Sequence, residues 1–405
     1  MNKKVLFVHD GPLYIDEKGN YFGIHYNDKI KNRYLYLGNE VSFLMRKKVL
    51  NDSANSRFSQ ISNDQFNFIE IPNFKSFRGF LKNFKKARDI IYNALQNHEL
   101  LVARLPSASG RLAVKAAREY NKPYLVEFVG CTFDAYWNYN WKGKLIAHYK
   151  LKQQQSLLKK CSHVIYVTNE FLQNRYPTNG KSIGCSNVEL KELKPEDLKN
   201  RIKRYKQSDT ESLTLCTVAA IDVPYKGQAD VIKALAMLKE QGIICHYRII
   251  GQGDPKRLKK IVSEYGVEQQ VDFTGSLIHE EVFNELEDID LYIQPSKQEG
   301  LPRALIEAMS KACPALGART AGIPELLENE CIFDSGAIHE IVEKIKQVDQ
   351  EWLLKQAKKN FQEAKKYEKL TLKERRLKFF RDFLQDNDLT IPDKLSEASL
   401  SLNSH

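Results

Sequence analysis

The chain has 405 residues, more than one hydrophobic core usually serves, so two domains are expected. A content of 42% hydrophobic and 28% charged residues excludes a disordered chain. The net charge of +11 favours an anionic partner, which can be nucleic acid, an anionic lipid surface or a phosphorylated substrate. Because no aromatic-rich RNA-binding motif is present and the basic residues are spread along the chain, nucleic acid is not an expected partner.

The first half of the chain alternates predicted strands and helices. An apolar run over 5–8 predicts a strand, and the stretch HDGPLYIDEKGNYFG predicts a long flexible loop after it. Further strands are predicted over 100–103, 124–129 and 161–169, with a helix over 110–120. Strand, helix and strand at this spacing imply a parallel sheet.

Residues 75–95 predict an amphipathic helix with apolar and basic faces. The apolar positions are Phe77, Phe80, Phe84 and Ile91, and the basic positions are Lys75, Arg78, Lys82 and Lys85. Such a helix fits peripheral contact with an anionic membrane, at its inner face. The alternative is an outer helix of the first domain with a solvated basic face.

The second half of the chain repeats the alternation after a charged stretch. Residues 191–211 are poor in apolar side chains, and we interpret them as a linker between a first domain, 1–190, and a second domain. Five strands alternate with four helices within 212–369, which predicts a second doubly wound α/β domain. A last helix over about 370–385 is expected to cross back to the first domain, and the tail, 386–405, is expected to be disordered.

Cysteine usage and the amino terminus bear on the compartment. Seven cysteines are widely spaced and never form a C-x-x-C pair, which indicates a reducing environment. The start, MNKKVLFVHDG, has too short an apolar run for a signal peptide, and no stretch approaches a membrane span. We therefore expect a cytoplasmic protein. Histidines and cysteines are scattered and no D-x-D motif follows an early strand, so neither a metal site nor a cofactor is expected.

The stretch QEGLPRALIEA sets two glutamates, Glu299 and Glu307, eight positions apart between a predicted buried strand and a helix. This position is the carboxyl edge of a parallel sheet, where ligands bind in open α/β folds. Gly300 lets backbone approach a ligand, Pro302 suits the first helical turn, and N–H groups near Gly300 and Leu301 attract phosphate. Since a carboxylate accepts two hydroxyls at once, the spacing suggests a sugar–phosphate–sugar ligand. The alternative is an ordinary exposed helix start.

The longer segment EGLPRALIEAMSKACPALGARTAGIPELL resembles the retaining glycosyltransferases of family 4, whose marker is E-x(7)-E followed by a second glycine-rich loop. PYKGQADVIKALAML is similar to the family's K-G helix start, and IIGQGDPKRLKKIVSEYGVEQQVDFTGSL to its nucleotide-binding segment. The resemblance implies a GT-B fold, in which two Rossmann-like doubly wound domains face a cleft. It also implies a nucleotide-diphosphate sugar as donor substrate.

The resemblance implies a role for each matched donor residue. Glu299 would bind hydroxyls of the transferred sugar, Glu307 would bind the ribose, and Lys226 with the Gly300 region would bind the diphosphate. A lysine there supplies a point charge to the departing phosphate.

The nucleotide segment of the resemblance carries Gly251 and Gly253 in its first turn, although a G-x-G alone is a weak signal. The family usually has an arginine five residues before the K-G lysine, and this sequence has Ile221 there. Arg303 or a loop residue is a candidate to replace that arginine. Without a replacement, stabilisation of the leaving group would be weakened.

Four segments of the amino half resemble enzymes of capsular polysaccharide assembly within that family. They are ARLPSASG, VEFVGCTFDAYWN, YVTNEFLQNRYP and SNVEL. These segments would then face the acceptor, a saccharide or lipid-linked saccharide. Glu127 and Asp134 lie at or just beyond a strand's carboxyl end, where one could accept a proton or orient a hydroxyl. The family's histidine of this region is absent, and His9 is either a cleft residue or a structural histidine.

Other interpretations stay open beside a retaining transferase of cell-surface polysaccharide biosynthesis. The aromatic residues Trp137, Tyr139 and Trp141 fit stacking on sugar faces, or packing in a core or lid. The whole chain could also be a nucleotide-sugar epimerase of the same architecture. A non-catalytic basic binding protein would bind donor without turnover, and a nucleic-acid-binding protein would show steep salt dependence.

Overall fold

A computed structural model describes residues 3–24, 26–50, 58–188, 190, 192–207 and 212–402. The strands of the first domain are β1 (Lys4–Ile15), β2 (Tyr21–Gly23), β3 (Glu40–Val49), β4 (Ser59–Ile61), β5 (Phe66–Glu70), β6 (Leu100–Leu105), β7 (Tyr124–Phe128), β8 (His163–Tyr166) and β9 (Lys181–Gly184). Its helices are α1 (Asp28–Tyr34), α2 (Phe77–Gln96), α3 (Ala108–Glu119), α4 (Thr132–Trp137), α5 (Trp141–Lys159) and α6 (Phe171–Arg175). The parallel strands lie in the order β5-β3-β1-β6-β7-β8-β9, with β2 and β4 antiparallel beside the end of β1.

The first strand is longer than the sequence predicts. The buried run Val5–Val8 pairs on both sides, with β3 and with β6, as a central strand must. After an irregular register between Val8 and Pro12 the strand continues to Ile15 and pairs again with β3. The predicted long loop is therefore wrong, because Leu13 is buried and the following residues form a hairpin with β2.

The second domain begins with helix α7 (Pro195–Gln207), inside the predicted linker. Its strands are β10 (Leu213–Val218), β11 (Cys245–Ile250), β12 (Val271–Gly275), β13 (Leu291–Gln294), β14 (Ala315–Ala318) and β15 (Ile332–Phe333). Its helices are α8 (Gln228–Glu240), α9 (Lys256–Glu264), α10 (His279–Asp288), α11 (Arg303–Ser310), α12 (Ile338–Lys346) and α13 (Gln350–Ala364). All six strands are parallel, in the order β12-β11-β10-β13-β14-β15, so the strand and helix alternation forms a second Rossmann-like sheet.

The charged stretch around α7 packs on the second domain. Arg201 is buried and donates to the carbonyls of Leu286, Ile289 and Lys311, and Tyr205 donates to the carbonyl of Asp290 at 2.7 Å. Sequence reasoning took this stretch as a linker. The long stem of an arginine buries readily when its guanidinium finds carbonyl partners at a helix end.

The carboxyl-terminal helix α14 (Lys369–Asp386) lies on the first domain. Arg376 donates to the carbonyl of Ser186 at 2.8 Å, and Asp386 pairs with His163 at 2.8 Å and with Lys181 at 2.7 Å. A further helix, α15 (Asp393–Leu402), follows it, so the structure differs from the predicted disordered tail. The physical reason is burial, because Leu395 is fully buried in the core of the first domain.

Candidate active site

Two charged side chains from neighbouring strands meet at the carboxyl edge of the second sheet. Lys226 follows β10 and Glu299 follows β13, and these strands pair with each other. Lys226 Nζ lies 2.5 Å from Glu299 Oε1, and Gln294 Nε2 lies 3.3 Å from the same oxygen. Both charged side chains are mostly buried. The fold therefore joins two sequence-predicted site residues 73 positions apart.

The backbone beside Lys226 requires glycine. Gly227 has a φ of +78°, and a Cβ at this position would lie 2.0 Å from the carbonyl oxygen of Pro295. The α8 helix begins immediately afterwards, at Gln228. The K-G pair thus sets Lys226 directly against the loop that carries Glu299.

Gly300 is a contact point between the domains. A Cβ on Gly300 would lie 2.4 Å from the carbonyl oxygen of Val129, which follows β7 of the first domain. Leu301 is buried, and Pro302 precedes the first residue of α11 with extended backbone. The sequence predicted that backbone at Gly300 approaches a ligand, and in the structure it is the backbone of the first domain that lies close to Gly300. The carboxyl edges of the two sheets therefore face each other here.

Glu307 lies in α11, half-buried. Burial raises its pKa, while His279 and Arg303 oppose that rise. Among the residues that the structure describes, no side chain is hydrogen-bonded to the Glu307 carboxylate, so both oxygens can accept from a ligand. Burial also raises the pKa of Tyr292 on β13, and the charges of Glu307 and Glu299 are among the further causes.

The loops after β10 and β11 lie side by side. Ile221 is buried, its N–H donates to the carbonyl of Gln252 at 2.9 Å, and Gln252 stands between Gly251 and Gly253. Arg257 Nη2 donates to the carbonyl of Ile221 at 3.3 Å, and Arg257 Nε is buried and has no hydrogen-bond partner among the residues that the structure describes. Sequence reasoning proposed Arg303 as the replacement for an arginine at 221 and missed Arg257, whose position depends on how α9 packs.

Glu127, predicted as a catalytic group, is instead part of a buried ion pair. Its Oε2 accepts from Arg104 Nη2 at 2.6 Å and from Arg104 Nε at 3.0 Å. Burial raises the pKa of Glu127, but Arg104, Arg33 and Arg376 outweigh it and lower the pKa to about 2. A carboxylate that is bonded, buried and so weakly basic suits a structural role better than proton abstraction, because it lies within the strand.

Asp134 and His9 also have protein partners. Asp134 in α4 pairs with Arg175 of α6 at 2.9 Å. His9 Nδ1 accepts from the N–H of Gly11 at 2.8 Å and lies 2.8 Å from the hydroxyl of Tyr26. Burial and Arg104 lower the pKa of His9 to about 3, so this ring is neutral and satisfied, as a structural histidine is.

The described residues contain neither a candidate metal centre nor a candidate membrane span. There, no group of three or more histidine, cysteine, aspartate or glutamate side chains could hold a metal ion. In the same part of the chain, no helix combines the length and the apolar content that crossing a membrane needs. All seven cysteines are free and buried.

Comparison with known proteins decides the family. Residues 199–367 match the family described as glycosyl transferases group 1. Over 335 residues, 82% of each chain, the protein is 32% identical to Protein CapJ of Staphylococcus aureus. The chain belongs to the glycosyl transferases group 1 family. This glycosyltransferase is also 38% identical to the putative colanic acid biosynthesis glycosyltransferase WcaL of Escherichia coli, over 110 residues that are 25% of this chain and 27% of WcaL.

The solved structures agree on the architecture of this glycosyltransferase. HepE of Anabaena, solved in complex with UDP, aligns with a TM-score of 0.62 at 15% identity, over 94% of this chain and 100% of that chain. At this identity the likeness concerns the fold. The predicted GT-B architecture is thereby confirmed.

The two domains of the glycosyltransferase are joined by side chains that sequence reasoning missed. Glu325, in the loop after β14, accepts from three successive backbone N–H groups at the start of α6, those of Asn169 (2.6 Å), Glu170 (3.1 Å) and Phe171 (2.6 Å). Asn138 at the end of α4 donates to the carbonyl of Lys297 at 2.8 Å. The sequence signal for Glu325 is its place in TAGIPELL, but its partners lie in the other domain.

We expect Glu325→Ala to favour separation of the domains. Three hydrogen bonds to one ionised carboxylate are worth about 1.5–3 kcal/mol net, which shifts the closed–open balance roughly 10- to 150-fold. Small-angle X-ray scattering with and without UDP measures the change. Glu328→Ala is the matched control, since Glu328 bonds to Gln356 and Lys359 within the second domain. Equal scattering of the two variants would contradict the role of Glu325.

Proposed function

We propose that this glycosyltransferase transfers a sugar from a nucleotide-diphosphate sugar to a saccharide or lipid-linked saccharide, with retained anomeric configuration, in cell-surface polysaccharide biosynthesis. The observation that carries this proposal is the Lys226–Glu299 pair at the facing carboxyl edges of the two sheets. WcaL, named for colanic acid biosynthesis, supports the polysaccharide assignment, and HepE in complex with UDP supports a nucleotide donor.

The proposed chemistry uses the pair in two roles. The bond between the anomeric carbon and the diphosphate oxygen breaks, the acceptor hydroxyl oxygen bonds to that carbon, and the acceptor proton passes to the departing diphosphate. Lys226 neutralises charge that develops on the leaving group, and Glu299 binds hydroxyls of the transferred sugar in an oxocarbenium-like state. In the absence of donor, each side chain neutralises the other.

The proposed donor site includes two further residues besides the Lys226–Glu299 pair. Glu307 binds the ribose diol, because its half-buried carboxylate has both oxygens available. Arg257 supplies a guanidinium beside the loop that carries Ile221, since its buried Nε lacks a protein partner. We propose that this arginine offsets the isoleucine at 221.

A thermal-shift screen of UDP-, GDP-, ADP- and dTDP-sugars tests the donor site. One nucleotide class is expected to raise the unfolding midpoint of the wild type on the order of 3–8 °C at about 100 times its Kd. Glu307→Ala is expected to lose most of that shift, and Glu264→Ala, which removes an exposed glutamate of α9, to keep it. If no nucleotide sugar shifts the wild type, the proposed donor site is wrong.

Product analysis separates transfer from the other interpretations. A transferase given donor and acceptor releases nucleoside diphosphate and forms a glycoside. An epimerase changes the donor sugar without acceptor, and a non-catalytic binding protein shows the thermal shift without turnover. Either of those two results would overturn transfer while leaving the donor site in place.

A further inference from the structure

The outward face of helix α5 changes character along its length. Gly143, Ala147, Gln154, Leu157 and Leu158 are buried, so they mark the side that packs on the first domain. In the carboxyl half the opposite side is polar, as expected of a surface helix. In the amino half this pattern differs, because the inward residues are glycine and alanine while the outward ones include large apolar side chains.

The outward apolar residues of the amino half are strongly exposed. Trp141, Leu145 and Tyr149, which share one helix face at i, i+4 and i+8, expose 68%, 73% and 64% of their surface. Trp137, Tyr139 and Ile146 are exposed as well. We define these six residues as the docking face. Core packing, which the sequence left open beside stacking on sugar faces, does not fit the exposed Tyr139 and Trp141, while Trp137 stacks on Phe133. An exposed apolar group of this kind marks an interaction surface.

The segment that carries the docking face is positively charged. Residues 137–152 contain four lysines, Lys142, Lys144, Lys150 and Lys152, and no acidic residue. Lys142 Nζ lies 5.5 Å from the Trp141 ring, and Lys144 Nζ lies 5.5 Å from the Trp137 ring. Each ammonium group thus stands beside an aromatic ring of the docking face, so apolar insertion and anion binding occur together.

We propose that the docking face binds the surface of an anionic membrane. Tryptophan and tyrosine favour the water–lipid boundary, and lysines beside them bind anionic headgroups at about 1 kcal/mol each. Protein interfaces are depleted in lysine. A symmetric contact between two copies would set acid-free lysine clusters against each other, which costs free energy.

The docking face also lies beside the junction of the two domains. Asn138, inside this segment, donates to the carbonyl of Lys297, which follows β13 in the second domain. A membrane that covers the docking face would lie next to the edge where the donor is bound. A lipid-linked acceptor could then reach the site from the bilayer, a consequence that rests on the proposed function.

Helix α2, predicted from sequence as the membrane contact, is anchored differently. Ile91 is fully buried, Phe84 packs on Phe74 and Phe80, and Lys75 pairs with Asp10 at 3.2 Å. This helix therefore fits the alternative of an outer helix of the first domain. Its exposed residues Phe80 and Leu81 supply a competing surface that the experiment must separate from the docking face.

Vesicle flotation of the full chain tests the proposal. The wild type is expected to bind phosphatidylcholine vesicles containing about 30% phosphatidylglycerol, and to bind pure phosphatidylcholine at least roughly 10-fold more weakly. The triple change Trp141→Gln, Leu145→Gln and Tyr149→Gln should weaken binding to anionic vesicles by roughly 10-fold or more, and so should Lys142→Gln with Lys144→Gln. The double change Ile278→Gln and Leu370→Gln removes exposed apolar residues elsewhere and should leave binding unchanged.

Three results would overturn the docking face. The first is that the wild type shows no preference for anionic vesicles. The second is that the double change Phe80→Gln and Leu81→Gln abolishes vesicle binding while the α5 variants still bind. The third is that the wild type is a dimer and the α5 triple variant is a monomer. The thermal shift with nucleotide sugar is the independent readout. It should be the same in the α5 variants and the wild type, so failure of docking and failure of the proposed function are distinguishable.

Discussion

Replacing Lys226 by alanine is expected to lower the rate of sugar transfer about 10²- to 10³-fold, the usual effect of removing one group that stabilises a leaving group. The reason is electrostatic, because Lys226 Nζ is the cation 2.5 Å from Glu299 at the carboxyl edge of the second sheet. Release of nucleoside diphosphate in the presence of acceptor measures the rate. Lys226→Arg keeps the charge and is expected to retain more activity than the alanine variant.

The control for Lys226 is another lysine of the same domain with carboxylate partners. Lys311 pairs with Asp197 at 3.0 Å and with Glu287 at 2.6 Å, at the end of α11 away from the glycine-rich loops. Lys311→Ala is expected to reduce stability without lowering the rate of the folded enzyme. If both alanine variants lost activity equally, the specific role of Lys226 would be wrong.

The second large effect is on stability. Glu127→Gln is expected to cost about 3 kcal/mol of unfolding free energy at pH 7, because burial opposes ionisation of Glu127 but Arg104 and two further arginines lower its pKa from 4.5 to about 2. Urea unfolding of variant and wild type measures the difference. Glu343→Gln, which removes an exposed pair with Lys346, is expected to change stability by less than about 0.5 kcal/mol.

The pH dependence of the Glu127 effect has a definite sign. A carboxylate whose pKa is lower in the folded state stabilises the fold above its unfolded pKa and loses that contribution as the pH falls through the folded pKa. The difference between wild type and Glu127→Gln should therefore be complete above about pH 4.5 and shrink toward pH 2. A difference that does not change with pH would show that the ionised pair does not cause it.

The sequence predicted the fold class, which is confirmed, and it supplied most of the residues of the proposed donor site. Strand and helix periods are local, so alternating runs predicted two parallel sheets, and E-x(7)-E with K-G marked residues that follow adjacent strands. A short segment is enough to recognise a strand or helix period, and a short segment is also enough to recognise each motif. Elements whose burial depends on distant partners were missed, namely the second half of β1, helix α7 and helix α15.

The residues of the acceptor side were harder to predict from the sequence, because the type of a residue at a strand end does not reveal which side chain it pairs with. Glu127 was taken as a catalytic group, but Arg104 on the neighbouring strand β6 neutralises it. Arg104 and Glu127 are partners in the pairing of β6 with β7, and that pairing brings the two side chains together.

The sequence by itself thus predicted many of the strands and helices and the family resemblance, and it placed Lys226 and Glu299 after strands and Glu307 in the helix that follows, because backbone propensity and motif spacing act over a few residues. Only the tertiary structure decided which charged groups are neutralised, that Glu325 binds the start of α6, and that the apolar side of α5 points outward. Those outcomes depend on contacts between residues that lie 23 to 156 positions apart in the chain, or on which face of a helix a whole domain covers. Local sequence patterns do not contain that information.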